Sequence, residues 1–286
     1  MSFLQRAKRL LRFYRVLPKK RLGQNFVVNA DLLQRMMTYA SVTEDDVVLE
    51  VGAGLGFLTQ FLSRKCKRVI AVEVDPKLMM ILREQLHGLQ NVDLIEGDIL
   101  KVSVPPFDKV VSTPPYSISS PMLFWLLERK FDCAVLTFQK EFAERLAASV
   151  GSKDYGRLTV TTYYRAEAEL LDYVPREMFY PPPDVDSMVV RLKLREPPFQ
   201  VEDEETFLEL VRTLFTQRNK KVRNAIIPFL HKRGVKRGNA VGLADSLPFH
   251  DNRVRGLAPE DFGILTNEIV RKPWYSLSKR SINVKA

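Results

Sequence analysis

Successive apolar runs in this chain end in residues that could do chemistry. Val47-Val48-Leu49 leads into Glu50-Val51-Gly52-Ala53-Gly54-Leu55-Gly56. Without side chains at Gly52, Gly54 and Gly56, the main chain can approach a ligand closely. The G-x-G-x-G spacing differs from the G-x-G-x-x-G of dinucleotide folds. The next run, Val69–Val74, carries Glu73, about twenty residues past Gly52, the separation at which a carboxylate holds ribose hydroxyls. A third run, Val92–Glu96, leads into Gly97-Asp98, whose carboxylate could accept from an adenine amino group. A fourth, Val110-Val111, leads into Thr113-Pro114-Pro115-Tyr116. Each acid taken singly is a helix cap or a solvated turn more often than a ligand. As an ordered set they describe one edge of a sheet binding a nucleoside cofactor.

The Thr-Pro-Pro-Tyr turn suits a flat base. An exocyclic amine is a poor nucleophile because its lone pair is delocalised into the ring. Acceptors on its two hydrogens draw the nitrogen toward tetrahedral geometry and free that pair. The Thr113 hydroxyl and the Pro114 carbonyl could be those acceptors, and Tyr116 could stack on the base. A second proline stiffens the turn and adds no competing N–H. Attack on a sulfonium methyl then needs in-line positioning more than a strong base. The combination predicts methyl transfer to a nucleobase amine. Phe179, ahead of Pro181-Pro182-Pro183, is a core residue on its own terms, but could close the other face of an extruded base. Gln217-Arg218-Asn219-Lys220-Lys221-Val222-Arg223 is either a solvated face or, with Arg218, Lys220, Lys221 and Arg223, a phosphate-contacting one. No G-x-x-x-x-G-K-[ST] is present, which excludes a P-loop nucleotidase.

The elements that must position these groups alternate. Strands are expected at Val47–Val51, Val69–Val74, Val92–Glu96, Lys109–Ser112 and Ala134–Phe138. Helices are expected at Leu58–Lys65, Pro76–His87, Pro121–Arg129 and Glu141–Ser149. That rhythm makes a largely parallel sheet with helices on both faces. Thr159–Tyr164 and Ser187–Leu194 carry β-branched residues and are expected as late, antiparallel strands. Glu196-Pro197-Pro198 breaks the pattern, and Glu204–Thr216, Val222–His231 and Pro259–Ile269 follow as helices. The expected organisation is a basic N-terminal extension over 1–21, an α/β domain over 22–198 and a helical C-terminal domain over 199–286.

The formal net charge is +10 over 286 residues. Residues 1–30 carry Arg6, Lys8, Arg9, Arg12, Arg15, Lys19, Lys20 and Arg21 and no acid, and the chain from 199 onward is also net basic. Two basic ends around a nearly neutral body fit a polyanion. No apolar run approaches the ~20 residues that span a bilayer. Cys66 and Cys133 are too few for a disulfide scaffold, and the scattered His87, His231 and His250 predict no metal site. A cytoplasmic, monomeric protein with no membrane partner is expected.

At these residues the chain resembles the small-subunit ribosomal RNA adenine dimethyltransferases, or dimethyladenosine transferases. Leu22-Gly23-Gln24-Asn25-Phe26 resembles the family's entry motif, and Glu50–Gly56, Glu73 and Gly97-Asp98 its S-adenosylmethionine motifs. Phe179-x-Pro181-x-Pro183-x-Val185-Asp186-Ser187 and Gln217-Arg218-x-Lys220-x-x-Arg223-Asn224 resemble two further signatures. The resemblance implies a Rossmann-like seven-stranded methyltransferase domain with a small all-helical C-terminal domain. It implies S-adenosyl-L-methionine held by Gln24, Asn25, Val27, Gly52, Gly54, Glu73, Asp98 and Thr113. It also implies methylation of two adjacent adenines in the 3′-terminal hairpin of small-subunit rRNA, within the precursor subunit. The family's turn is usually Asn-Leu/Ile-Pro-Tyr, whereas this chain has Thr113-Pro114. Thr offers a shorter acceptor that also carries a proton. Two alternatives follow: a large-subunit rRNA methyltransferase of the antibiotic-resistance type, and an rRNA-binding assembly factor with weakened catalysis.

Overall fold

The computed structural model describes residues 1–275; residues 276–286, the end of the expected C-terminal domain, lie outside the described residues. The chain opens with α1 (Phe3–Phe13), the short strand β1 (Phe26–Val27) and α2 (Ala30–Tyr39). There follow β2 (Val47–Val51), α3 (Phe57–Leu62), β3 (Arg68–Glu73), α4 (Pro76–Leu86) and β4 (Val92–Glu96). Next come β5 (Lys109–Ser112), α5 (Ser119–Leu127), β6 (Cys133–Gln139), α6 (Lys140–Leu146) and α7 (Arg157–Arg165). Then come β7 (Ala166–Val174), β8 (Phe179–Tyr180) and β9 (Ser187–Leu194). The remainder is helical: α8 (Glu204–Phe215), α9 (Val222–Ala225), α10 (Ile227–Lys232), α11 (Arg237–Asp245) and α12 (Pro259–Val270).

Contacts divide the chain into two compact units: Met1–Glu144 with Ala166–Arg195, and Arg145–Arg165 with the chain from Glu196 onward. The first holds a seven-stranded sheet ordered β4-β3-β2-β5-β6-β9-β7. β4 through β6 are parallel, while β9 runs antiparallel to both β6 and β7. β2, β3, β5 and β6 are largely buried, as their apolar runs predict for strands covered on both faces, whereas β4 at the edge of the sheet is half-buried. The chain builds outward from β2 to β4, then crosses back to place β5 on the other side of β2. Where that order reverses, neighbouring connections diverge and leave a crevice at the carboxyl ends of the strands. Gly52 follows β2 and Thr113 follows β5, so both groups of chemistry-bearing residues stand at that crevice.

The expected N-terminal extension is part of this unit. Ser2 caps α1 by accepting from Gln5 N at 3.2 Å, and the Gln5 side chain accepts from Ser2 N at 3.0 Å. Ala7, Leu10 and Leu11 lie on one helical face and are buried in the same core as Leu33 and Val48. Phe3 stacks on Phe57 at 4.7 Å between centroids. These apolar contacts hold a segment whose sequence is dominated by charge.

A second correction concerns Thr159–Tyr164, expected as a strand and observed inside α7. Leu158, Thr159, Val160, Thr161, Thr162 and Tyr164 are all buried. Burial on nearly every side overrides the β-preference of Thr and Val, which reflects a half-buried pleated surface. The late strand is instead β7, paired to β9 from Ala166↔Leu194 to Val174↔Ser187. Because α7 belongs to the second unit, that unit takes in Arg145–Arg165 rather than beginning at 199. Its core gathers Tyr155, Val160 and Tyr164 with Phe207, Leu210, Phe229 and Phe262. Within it the Tyr155 hydroxyl donates to the Leu257 carbonyl at 2.7 Å.

Candidate active site

One pocket at the crevice brings together Gln24, Asn25, Val27, Gly52, Gly54, Glu73, Asp98 and Thr113, every residue expected to hold a cofactor. The turn after β2 makes its approach with Gly52, Gly54 and Gly56 at φ +75, +60 and +77°, the left-handed region that favours glycine. An added Cβ at Gly54 would meet the Phe26 ring at 2.9 Å.

Glu73 ends β3 with a buried carboxylate. Oε2 accepts from Gly54 N and Oε1 from Asp75 N, both at 2.9 Å. Burial holds its pKa above the usual carboxylate value; the Asp75 and Gly54 N–H groups pull it down, and the Asp75 carboxylate pushes it up. Each oxygen keeps a further lone pair for a ligand hydroxyl. Asp98 lines the same wall, its Oδ1 accepting from Leu100 N at 3.1 Å.

Glu50 also lines the pocket, though only the motif around it stood out in the sequence. Its Oε2 is buried without a hydrogen-bond partner. Burial pushes Glu50 up to about 8; the Thr59 hydroxyl lowers it and the Glu73 carboxylate raises it further. An unpartnered acceptor in the wall, beside glycines left clear for main-chain approach, fits a ligand that brings hydrogen-bond donors. S-adenosylmethionine, with ribose hydroxyls, an adenine amine and an ammonium group, is such a ligand.

Gln24, which lines the pocket, is also hydrogen-bonded within the fold. Its oxygen accepts from Lys19 N and its nitrogen donates to Asp75 Oδ2, each at 2.7 Å. Lys19 Nζ pairs with the same Asp75 oxygen at 2.7 Å, where the Asp75 side chain has no exposed surface and that of Lys19 is 33% exposed. Asp75 Oδ1 caps α4 through Lys77 N at 3.1 Å. Asp75 thus ties the entry segment to the strand end carrying Glu73, and Gln24 serves that tie.

The turn after β5 is fitted against the glycines. Pro115 approaches so closely that a Cβ at Gly52 would lie 3.0 Å from its Cδ, and one at Gly23 3.2 Å from its Cβ. The Pro115 carbonyl accepts from Ile118 N at 3.1 Å, whereas no hydrogen bond within the described residues engages the Pro114 carbonyl. Thr113 reaches the pocket; Pro114 is buried beside it. The Tyr116 hydroxyl bonds the buried Ser187 hydroxyl, and burial pushes the phenol up to about 12, so it stays protonated at neutral pH. Phe179 is 4% exposed and meets Tyr116 edge-on at 6.4 Å between centroids. It belongs to the core and braces Tyr116 from the side; it does not present an open face to a base.

The basic cluster lies in the other unit. Lys221 pairs with Asp251 at 2.8 Å, and Arg223 with Asp251 at 3.2 Å and Asp245 at 3.9 Å. Arg218 donates to the carbonyls of Lys153 at 2.6 Å and Ser152 at 2.8 Å. Lys220 is exposed. No described helix is long and apolar enough to cross a membrane.

A family model for ribosomal RNA adenine dimethylase matches residues 17–254. A protein of Methanosarcina acetivorans named "Probable ribosomal RNA small subunit methyltransferase A" is 44% identical over 246 residues, covering 85% of this chain and 91% of that protein. Its namesake in Thermococcus kodakarensis is 42% identical over 251 residues, covering 87% and 88%. Among solved structures, a dimethyladenosine transferase from Plasmodium falciparum superposes with TM-score 0.73 at 31% identity, covering 85% of this chain and 97% of that one. The 23S rRNA methyltransferase ErmE superposes with TM-score 0.62 at 30% identity, covering 85% and 98%.

Proposed function

This chain belongs to the ribosomal RNA adenine dimethylase family, and from that membership we propose that it methylates N6 of two adjacent adenines in the 3′-terminal hairpin loop of small-subunit rRNA. Its substrate is then the precursor small subunit, and it works as a cytoplasmic monomer. The donor is S-adenosylmethionine, which supplies an electrophilic sulfonium methyl when bound. Glu73 holds the ribose hydroxyls, Asp98 the adenine amine, and Gly52, Gly54, Asn25 and Val27 the remaining wall, with Glu50 accepting from the ligand's own donors. The observation that carries the assignment is the seating of the Thr113–Tyr116 turn directly on the glycines of the pocket. The close approach of that turn to Gly23 and Gly52 supports a base held beside the cofactor.

Thr113 and Pro114 accept the two amine hydrogens of the target adenine. Thr113 Oγ1 makes no hydrogen bond among the described residues and is available to accept. Tyr116, braced by Phe179 and fixed through Ser187, provides the ring on which the base stacks. No group near the turn serves as a strong base, and none is required: the amine proton leaves after the carbon–nitrogen bond forms.

The test is transfer of labelled methyl to precursor small subunits, followed by primer extension through the 3′ hairpin, where dimethyladenine stops the polymerase. Native protein gives stops at two adjacent adenines. Thr113→Val keeps shape and removes the acceptor. Turnover is expected to fall about 10²–10³-fold, the usual cost of one electrostatic contact to the reacting group, with cofactor affinity unchanged. Tight binding of precursor subunits by native protein with no transfer would establish an assembly factor instead. Stops confined to large-subunit RNA would transfer the assignment to that substrate.

A further inference from the structure

The second basic segment of the sequence, residues 1–30, differs physically from the cluster at 218–223. Three members of that cluster already have partners in the fold, namely Asp251 and Asp245 for Lys221 and Arg223, and two carbonyls for Arg218. In the N-terminal segment Arg9, Arg12, Arg15, Lys20 and Arg21 are all exposed, none forms an ion pair among the described residues, and no acid occurs between Met1 and Ala30. The turn after α3 adds exposed Arg64, Lys65 and Lys67. The two groups of cations feel one another: Arg6 has its pKa lowered by burial and then by repulsion from Arg9 and Arg64. A protein surface that gathers like charge without internal compensation is left with a strong positive potential. The nearby acid on α4, Glu84, is engaged by the Tyr14 hydroxyl.

We propose that the exposed face of α1, extended by Lys20, Arg21 and the Arg64–Lys67 turn, is the surface on which the phosphate backbone of the RNA substrate docks. The assignment rests on the methyltransferase function proposed above and says where its substrate is gripped. Position supports it. Arg6 lies over the Phe57 ring at 5.2 Å, and Phe57 lines the cofactor pocket. The patch and the pocket therefore share a wall. Phe13 is 74% exposed and Leu17 84%, between Arg12, Arg15 and Lys19. An open aromatic ring among cations suits an unpaired base next to its phosphates, since stacking accepts any base face. An anionic membrane would also attract these charges, but a membrane-surface helix must spend its apolar face on lipid. Here Ala7, Leu10 and Leu11 are already buried in the core.

The experiment compares native protein with the Arg9→Gln/Arg12→Gln/Arg15→Gln variant. The probe is a fluorescently labelled RNA carrying the 3′ hairpin of small-subunit rRNA, with binding measured by anisotropy from low to high salt. Three lost phosphate contacts should flatten the slope of log K against log salt by about 2, and weaken binding on the order of 100-fold at 0.1 M salt. S-adenosylhomocysteine affinity and the urea midpoint should stay at native values. A Lys221→Gln/Arg223→Gln variant should change the slope by less than half as much. An unchanged slope in the triple variant, while native protein still transfers methyl, overturns the docking surface and leaves the enzymatic assignment intact. Absence of both transfer and RNA binding by native protein overturns both. Arginine-dependent binding to phosphatidylserine vesicles in preference to RNA would replace the RNA by a membrane.

Discussion

Lys19→Met isolates the tie that Asp75 makes between the entry segment and Glu73. The pair is asymmetric: the Asp75 side chain has no exposed surface, and that of Lys19 is 33% exposed. Removing the lysine strands a buried carboxylate with Gln24 Nε2 and Lys77 N as its remaining donors. Breaking a fully buried pair costs about 3–5 kcal/mol. With one partner partly exposed and two donors retained, about 2 kcal/mol at pH 8 is expected. Asp75→Asn should cost less, about 1 kcal/mol, because Lys19 can turn to water and asparagine still caps α4. The pH dependence fixes the sign. In the native protein burial raises the Asp75 pKa, but Lys19, Gln24 and Lys77 N–H outweigh it and hold it below the usual value. Its stabilising contribution is therefore present above the unfolded pKa of about 3.9 and is lost as pH falls through the lower folded value. Without Lys19 the largest of those lowering contacts is lost, so the folded pKa rises from its native position. The variant's deficit is then full at pH 8 and shrinks as pH falls toward about 4. Urea denaturation of native, Lys19→Met, Asp75→Asn and the double variant at pH 8, 6 and 5 measures this. A Lys19→Met deficit that does not change with pH, or an Asp75→Asn variant that is the less stable of the two, would refute the electrostatic tie.

Three further outcomes are expected. Glu73→Gln turns an amide N–H toward Gly54 N or Asp75 N, both of which now donate to the carboxylate; S-adenosylhomocysteine affinity should fall about tenfold or more by calorimetry, and equal affinity would remove Glu73 from the ribose site. Tyr116→Phe keeps the stacking ring and loses only the bond to Ser187; turnover should stay within about tenfold of native, and a loss like that of Thr113→Val would make the phenol a participant in the reaction. Deleting residues 1–17 strips Ala7, Leu10, Leu11 and Val16 from the core, so it should lower the urea midpoint sharply; a truncated protein of native stability would show that α1 is an appendage.

The sheet and the pocket were legible because their signals are local. β2, β3, β5 and β6 are short, mainly apolar runs, and each chemistry-bearing residue lies at the end of its strand or just after it, where connectivity alone brings the strand ends together. What escaped has a different cause in each case. Residues 1–21 display their charges first, yet Ser2-x-x-Gln5 is a capping box and Phe3, Ala7, Leu10 and Leu11 hold helical spacing; charge on the outer face masked the stripe on the inner one. α7 reads as a strand because Thr and Val dominate it, and only its burial makes it a helix. The partners of Arg218, Lys221 and Arg223 are distant in sequence, Asp245, Asp251 and Ser152 among them, so composition could not tell a paired cation from a free one.

The arrangement explains how a hydroxyl can stand where the family usually carries an amide. The Tyr116 phenol beside the turn is held at about 12 and stays protonated at neutral pH, so it cannot take the amine proton. Rate must then come from placement of the amine against the donor, and placement depends on how rigidly the turn is held. In this chain Pro114 and Pro115 replace backbone freedom with fixed φ, and Pro115 is wedged between Gly23 and Gly52, close enough that a methyl group on either would press against it. On the proposed mechanism the Pro114 carbonyl, without a hydrogen bond among the described residues, is thereby fixed as one acceptor. On that proposal a stiff turn with one well-placed carbonyl lowers the demand on the second acceptor, the role proposed for Thr113 with its shorter reach. The two prolines and the threonine are on this account one adaptation, and exchanging Thr113 for Asn without also altering Pro114 moves a longer side chain into a turn built for a shorter one.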